Sequence, residues 1–136
     1  RLDLVNLGDQ LDDKTAYRWV VSEVAVPALQ EYPDQRAWVF DSVRKKVQVE
    51  HFRKEFDERV FHVHLTAPDE VLRERFSARG READENAEFD QVIATANEQE
   101  ARSLENMADH LEGNHSQSAE QTARLIAEAF TKWQRS

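Results

Sequence analysis

The sequence contains no cysteine, and it has only three glycines and three prolines in 136 residues. The absence of cysteine excludes disulfides and thiolate metal sites and agrees with a cytoplasmic location. The scarcity of glycine and proline predicts a helix-rich chain with few irregular turns. No apolar run approaches the ~20 residues of a membrane span, and no secretory signal pattern is present. We therefore expect one domain over residues 1–136 that is cytoplasmic and does not bind membranes.

The charge balance is strongly acidic, with 18 basic and 27 acidic residues and a net charge of -9. This balance argues against nucleic-acid binding, which requires a concentrated positive face. Four arginines nevertheless crowd into nine residues: Arg73, Arg75, Arg79 and Arg81. Such a local cluster can hold a small anion. The expected partner is therefore a nucleotide or a small phosphate-bearing substrate, and the oligomeric state stays open.

Short apolar runs alternate with helical patterns over most of the chain. Three strands are predicted, at Ala37–Asp41, Val60–Leu65 and His110–Glu112. Helices are predicted after each of them: from Lys45 to Phe56, from Pro68 to near Gly80, and over a closing segment that ends near Trp133. This alternation predicts an α/β fold with a parallel sheet covered by helices on both faces.

The front of the chain is less defined. Leu2 to Leu11 is compatible with either a helix or a strand. Asp12 or Asp13 is predicted to cap a following helix that carries Val20, Val21 and Val24 on one face. Pro27 is expected to break or kink that helix, and Pro33 to end it.

Ligands of parallel sheets bind at the carboxyl ends of the strands. Asp41, Thr66 and Asn114 are expected at that edge. Arg44 and Gln48 follow Asp41 at positions where they can contact a phosphate and a base or ribose. The alternative is that Asp41 caps a helix and Arg44 is a solvated surface residue.

The helix before the polar loop carries Arg75 and Arg79, four residues apart on one face. Two guanidinium groups so placed can stack on a nucleobase and neutralise phosphates. The alternative is a surface helix whose arginines pair with Glu70, Glu74 and Glu82.

Together these segments resemble the P-loop kinases of nucleotides and related acceptors, such as the adenylate kinase, deoxynucleoside monophosphate kinase and dephospho-coenzyme A kinase families. The similarity lies in the order Asp41, Arg44, Gln48, then Arg75 and Arg79, then Asn114-His115-Ser116. The residues around Asp41–Arg44 and His62–Leu65 are also similar to kinase-like domains fused to adenylosuccinate synthetase in some bacteria.

The resemblance implies a three-layer sheet flanked by helices, a lid at about residues 80–90, and a phosphotransferase that uses ATP and Mg²⁺. It also implies roles for individual residues. Asp41 would act near the metal, Arg44 would hold the acceptor's phosphate beside Gln48, and Arg81 would close over the transferred group. Arg75, Arg79 and Asn114 would bind the donor nucleotide.

The family's glycine-rich phosphate-binding loop is missing. The stretch Gly8-Asp9-Gln10-Leu11-Asp12-Asp13-Lys14-Thr15 has Asp13 in place of the second glycine, and further carboxylates where phosphate would lie. We therefore expect the central P-loop strand upstream of Arg1, and catalysis only from the longer polypeptide. Two alternatives stay open: a non-catalytic nucleotide-binding regulatory domain fused to another enzyme, and an acidic helical interaction module.

Overall fold

The structure, a computed structural model, describes residues 2–41, 43–78 and 88–136. The chain divides into a first unit that ends at Val60 and a second unit from Phe61 to Ser136. Helices dominate both units, as the low glycine and proline content predicts. None of the helices in the described ranges has the length and apolar content needed to cross a membrane.

The first unit is helical throughout its regular structure. Its elements are α1 (Leu2–Thr15), a π-helix (Val20–Ala25), α2 (Val26–Glu31), α3 (Lys46–Phe56) and a short 3₁₀ turn (Asp57–Arg59). The core forms where Val21 and Ala25 of the π-helix meet Phe52 of α3, and all three are buried.

Helix α1 resolves the ambiguity at the front of the chain, because Leu2 to Leu11 is helical. The prediction that Asp12 or Asp13 caps a new helix is wrong, since α1 continues through both to Thr15. The helix stops where Ala16 and Tyr17 take the left-handed conformation, with φ of 48° and 64°. A residue in the left-handed conformation cannot continue a right-handed helix. The helix therefore ends at Thr15.

Pro27 lies in the first turn of α2, immediately after the π-helix. A proline lacks the backbone N–H that an interior helical residue would donate, but the first turn does not need this donor. The chain therefore changes helix type near Pro27 and stays helical. Helix α2 then ends at Glu31, before Pro33, as predicted.

The predicted strand at Ala37–Asp41 is wrong, because the structure assigns no strand to these residues. Their side chains do alternate: Trp38 and Phe40 stack with ring centroids 6.4 Å apart, whereas Val39 is 94% exposed. Phe40 also packs on Phe52, at 5.1 Å. The segment thus has one buried face, but in the described chain it lacks the neighbouring backbone that a strand requires.

The second unit is mixed α/β. Its elements are β1 (Val63–Thr66), α4 (Asp69–Ala78), α5 (Phe89–Ile93), α6 (Ala96–Ser103), a 3₁₀ turn (Leu104–Met107), β2 (His110–Gly113) and α7 (Ala119–Trp133). The strands β1 and β2 pair in parallel, with Val63 opposite His110 and Thr66 opposite Gly113. The predicted parallel pairing is therefore confirmed, although β1 begins three residues later than Val60. Across the described residues the sheet has two strands, not the larger sheet of a three-layer fold.

Aromatic packing holds α7 in the second unit. The ring of Phe61 lies 5.7 Å from that of Phe130 and 5.2 Å from that of Trp133. Leu104 is 2% exposed and is the most buried apolar residue among the described residues of this unit.

Candidate functional site

The carboxyl end of the two-stranded sheet brings together two of the residues expected there. Thr66 is the last residue of β1, and Asn114 directly follows β2. The backbone N–H of Asn114 donates to the carbonyl oxygen of Thr66 over 3.0 Å. The parallel ladder therefore continues to the point where the chain leaves β2 for α7.

Arg75 of α4 reaches this edge and contacts Asn114 twice. One terminal nitrogen donates to the side-chain Oδ1 of Asn114 over 2.8 Å, and the other donates to its carbonyl oxygen over 2.6 Å. Both residues are half-buried. This double contact fixes the guanidinium plane against the β2–α7 loop, because two parallel donors leave little rotational freedom.

The contact bears on the alternative in which Arg75 only pairs with nearby acids, whereas nucleotide binding by Arg75 stays a prediction. A solvated arginine would pair with Glu70 or Glu74 on its own helix. The hydrogen bonds found for Arg75 in the described chain go to Asn114 instead. Two of the residues predicted to bind the donor nucleotide are thus brought together across 39 residues of sequence.

Gln117 also stabilises the β2–α7 loop through hydrogen bonds. The side-chain Nε2 of Gln117 donates to the carbonyl oxygen of Gly113 over 2.7 Å and to Glu112 Oε1 over 2.8 Å. Ser118 then begins α7 with a capping box, in which it and Gln121 exchange side-chain and backbone hydrogen bonds. The loop is therefore held at both ends, with Asn114 fixed between them.

Arg73 joins α4 to α5. Its guanidinium makes two hydrogen bonds to the Asp90 carboxylate, of 2.9 and 3.2 Å, and lies 4.7 Å from the ring centre of Phe89. The hydrogen bond from Arg73 lowers the pKa of Asp90, and the same contact raises the pKa of Arg73. Arg73, a member of the arginine cluster, is thus engaged in an exposed ion pair.

The first unit contains Asp41, Arg44 and Gln48. The side chains of Asp41 and Arg44 are exposed, and the backbone N–H of Arg44 donates to Gln48 Oε1 over 3.3 Å. Gln48, in the first turn of α3, thereby holds the backbone of the residue that precedes the N-cap residue Lys45. Asp41 precedes this pair in the sequence, but it does not end a strand as predicted, because no strand forms at Ala37–Asp41.

Gln48 is only 6% exposed, so little of its surface is available for the expected contact with substrate. Its Nε2 donates to Asp12 Oδ1 over 3.3 Å, and the same oxygen accepts a 2.8 Å hydrogen bond from Trp19 Nε1. Both polar ends of the Gln48 side chain are used inside the first unit. Its role in substrate binding stays a prediction.

The stretch that most resembles a phosphate-binding loop lies inside α1, from Gly8 to Thr15. A P-loop cradles phosphate with backbone N–H groups that point into an open loop. Interior helical N–H groups instead bond to carbonyl oxygens one turn earlier. Gly8–Thr15 therefore offers no phosphate cradle.

Arg79 and Arg81, with residues 80–87 of the expected lid, lie outside the described residues. The described part of that region, residues 88–90, leads into α5. Among the described residues no group of three or more His, Asp or Glu side chains is arranged to hold a metal ion. Asp41 remains the carboxylate expected near Mg²⁺, which usually takes one or two protein carboxylates together with phosphate oxygens and water.

Three contacts were missed at the level of sequence: Gln117 to Gly113 and Arg73 to Asp90 in the second unit, and Asp12 to Gln48 in the first. The first joins residues four apart in a loop, and a glutamine there carries no distinctive pattern. The other two join distant residues that no local periodicity connects. Comparisons of the chain with protein-family models, curated proteins and solved structures gave no match.

Proposed function

We propose that the carboxyl edge of the β1–β2 sheet binds ATP, and that the protein is an ATP- and Mg²⁺-dependent phosphotransferase of the nucleotide-kinase type. The observation that carries this proposal is the double hydrogen bond from Arg75 to Asn114 at the end of a parallel strand pair. Parallel sheets bind ligands at this edge, where strand ends and loops leave polar groups available.

The chemistry of Arg75 supports a nucleotide as the ligand. A guanidinium has five N–H donors, and the contact with Asn114 uses one on each terminal nitrogen. The remaining donors can contact phosphate oxygens, and the planar face can stack on a nucleobase. Because Asn114 already fixes the plane, binding would cost little side-chain entropy.

Asp41 and Arg44 would serve the acceptor side of the reaction. Both side chains are exposed on the first unit, where a ligand can reach them. Arg44 would hold the acceptor's phosphate and Asp41 would act near the metal. Bound Mg²⁺ would neutralise the charge that develops on the transferred phosphoryl group.

A second candidate function is nucleotide binding without catalysis, as in a regulatory domain. The helical conformation of Gly8–Thr15 favours this candidate, because phosphoryl transfer in this class depends on a loop that surrounds the β- and γ-phosphates. By contrast, the parallel pairing of β1 and β2 argues against a purely helical interaction module.

An NMR titration of the whole ¹⁵N-labelled chain with Mg²⁺–ATP tests the binding proposal. We expect saturable shifts of the amide signals of Thr66, Asn114 and His115, and weaker shifts with tripolyphosphate, which lacks the base and ribose. Absence of saturable shifts at millimolar ATP, or shifts confined to α6 and the end of α7, would refute a nucleotide site at this edge.

Phosphate transfer separates the two candidates. The longer polypeptide, from which catalysis is expected, is incubated with γ-labelled ATP, Mg²⁺ and a panel of nucleoside monophosphates, and labelled product is measured. Transfer that is lost in the Asp41→Asn variant supports the phosphotransferase. Saturable ATP binding with no transfer to any acceptor supports the regulatory domain.

A further inference from the structure

The second unit contains a groove that the proposed nucleotide site does not use. The groove lies between β2 and α7, has a volume of about 420 Å³, and is lined by residues of the second unit alone. Small-molecule sites typically have volumes of about 300–1,000 Å³, and this open groove falls within that range. The space is therefore sufficient for a small organic ligand.

Aromatic rings form one side of this groove. The Phe61 ring lies 5.2 Å from that of Trp133 and 6.2 Å from that of His110, with which it is stacked. Leu125 and Ala129 of α7 extend the apolar surface, and Leu125 is 40% exposed. Within the described residues, the groove thus presents partly exposed ring surfaces and aliphatic groups.

The charged groups that line the groove are mainly carboxylates. Asp109, Glu112 and Glu128 face one amine, that of Lys132, together with the His110 imidazole. Glu112 is held in its ionised form, because its hydrogen bonds with His110, at 3.0 Å, and with Gln117, at 2.8 Å, lower its pKa. Only 13% of its side-chain surface is exposed, so this negative charge is partly shielded from water.

We propose that this groove binds a small aliphatic ammonium ion, with the alkyl chain against Phe61, Trp133 and Ala129 and the ammonium group near Glu128 and Glu112. The carboxylates attract the ammonium group, and the alkyl chain gains from burial against the rings. The excess of carboxylates over amines opposes an anion. A bare metal ion fits less well, because no described group of acidic and histidine side chains is arranged to hold one.

The proposal is tested with the whole chain and three probes: 1,8-diaminooctane, octane-1,8-diol and Mg²⁺. We expect the diamine to shift the amide signals of His110, Glu112 and Ala129 and the indole signal of Trp133 in ¹⁵N NMR spectra, with saturation. The diol has the same alkyl chain as the diamine but no charge, and Mg²⁺ has the same charge but no alkyl chain. Equal shifts from the diol would show a merely apolar groove, and equal shifts from Mg²⁺ a merely electrostatic one. Either result would overturn the proposal.

A matched pair of variants on α7 locates the site. Ala129→Lys adds an ammonium group inside the groove, whereas Ala127→Lys adds the same side chain at an exposed position that does not line it. We expect Ala129→Lys to weaken diamine binding by about tenfold or more, since it supplies a competing cation and covers the rings. Ala127→Lys should leave the affinity within about twofold. Equal affinity in the two variants would refute the assignment.

A charge-removing variant of Glu128 tests the position of the ammonium group without filling the groove. Glu128→Gln should weaken diamine binding by about threefold, as expected for the loss of one exposed ion pair. Glu105→Gln removes the same charge from an exposed residue of the 3₁₀ turn and serves as the control. Unchanged affinity in Glu128→Gln, in a variant that melts like the wild type, would contradict the proposed position of the ammonium group.

Discussion

Gln48 donates a hydrogen bond to Asp12 across 36 residues of sequence, and both side chains are buried in the first unit. The same Asp12 oxygen accepts from Trp19 Nε1. One carboxylate thereby links α1, the segment before the π-helix and α3. The sequence indicated Asp12 as a helix cap and Gln48 as a ligand contact, whereas the structure uses the pair to hold helices together.

This link predicts different effects for the two adjacent aspartates of α1. Asp12→Ala leaves the Trp19 and Gln48 donors without their acceptor and should lower the free energy of unfolding by about 1–3 kcal/mol. Asp13→Ala, at an exposed position, should change it by less than about 0.5 kcal/mol. Urea denaturation followed by circular dichroism measures both. Asp12→Asn keeps an acceptor oxygen and should recover most of the loss; similar losses in all three variants would contradict this role.

Arg44 is predicted to act on ligand binding and not on folding. Arg44→Ala should leave the melting temperature nearly unchanged, because the side chain is exposed. It should weaken the binding of a phosphate-bearing acceptor by about tenfold, because one charge-assisted contact is lost. Arg36→Ala, an exposed arginine earlier in the same unit, is the matched control for charge. Identical acceptor affinities in the two variants, measured by calorimetry, would remove Arg44 from the site.

The Arg73–Asp90 pair predicts a dependence of stability on acid. The folded-state pKa of Asp90 is lowered below its ordinary value, first by the hydrogen bond from Arg73. The pair therefore contributes stability at pH values above the unfolded pKa of about 3.9, and this contribution is lost as pH falls through the lower folded-state pKa. We expect the difference in melting temperature between wild type and Asp90→Asn to be present at neutral pH and to disappear under acid conditions.

A direct titration of the Asp90 carboxyl carbon by NMR checks the cause of this effect. In Arg73→Ala the pKa of Asp90 should return toward the ordinary value of about 3.9. Arg102→Ala removes a guanidinium that pairs with Asp69 instead and should leave the Asp90 titration unchanged. An unshifted Asp90 in the wild type would contradict the pairing.

Local patterns were sufficient to predict α3, α4, α7 and the parallel strand pair, whereas α1 was left ambiguous and α5 and α6 were not predicted. The apolar spacing of Val49, Phe52 and Phe56 predicted α3, and the short apolar runs predicted the regions of β1 and β2. The same kind of run failed at Ala37–Asp41, since a strand is defined by a partner that lies elsewhere in the chain. Periodicity reports which side chains are buried and does not report which backbone groups are paired.

The candidate site was predicted in part for a similar reason. The order of strands and helices was enough to expect Asn114 and Thr66 at one edge, because parallel strands align their carboxyl ends. That Arg75 contacts Asn114 follows only once α4 packs beside this edge, and no spacing in the sequence encodes a contact across 39 residues. The bracing of the loop by Gln117 also depends on the folded loop and had no sequence signal.

Calorimetric titration of Mg²⁺–ATP into the whole chain and two variants tests the central claim most directly. We expect the wild type to bind ATP and Arg75→Ala to bind it about tenfold or more weakly, as loss of a charge-assisted contact implies. Arg124→Ala removes an exposed arginine of α7 and should bind ATP like the wild type, with melting curves recorded to show that all three proteins are folded. No measurable ATP binding to the wild type, or equal affinities in folded Arg75→Ala and Arg124→Ala, would contradict a nucleotide site at the Arg75–Asn114 edge.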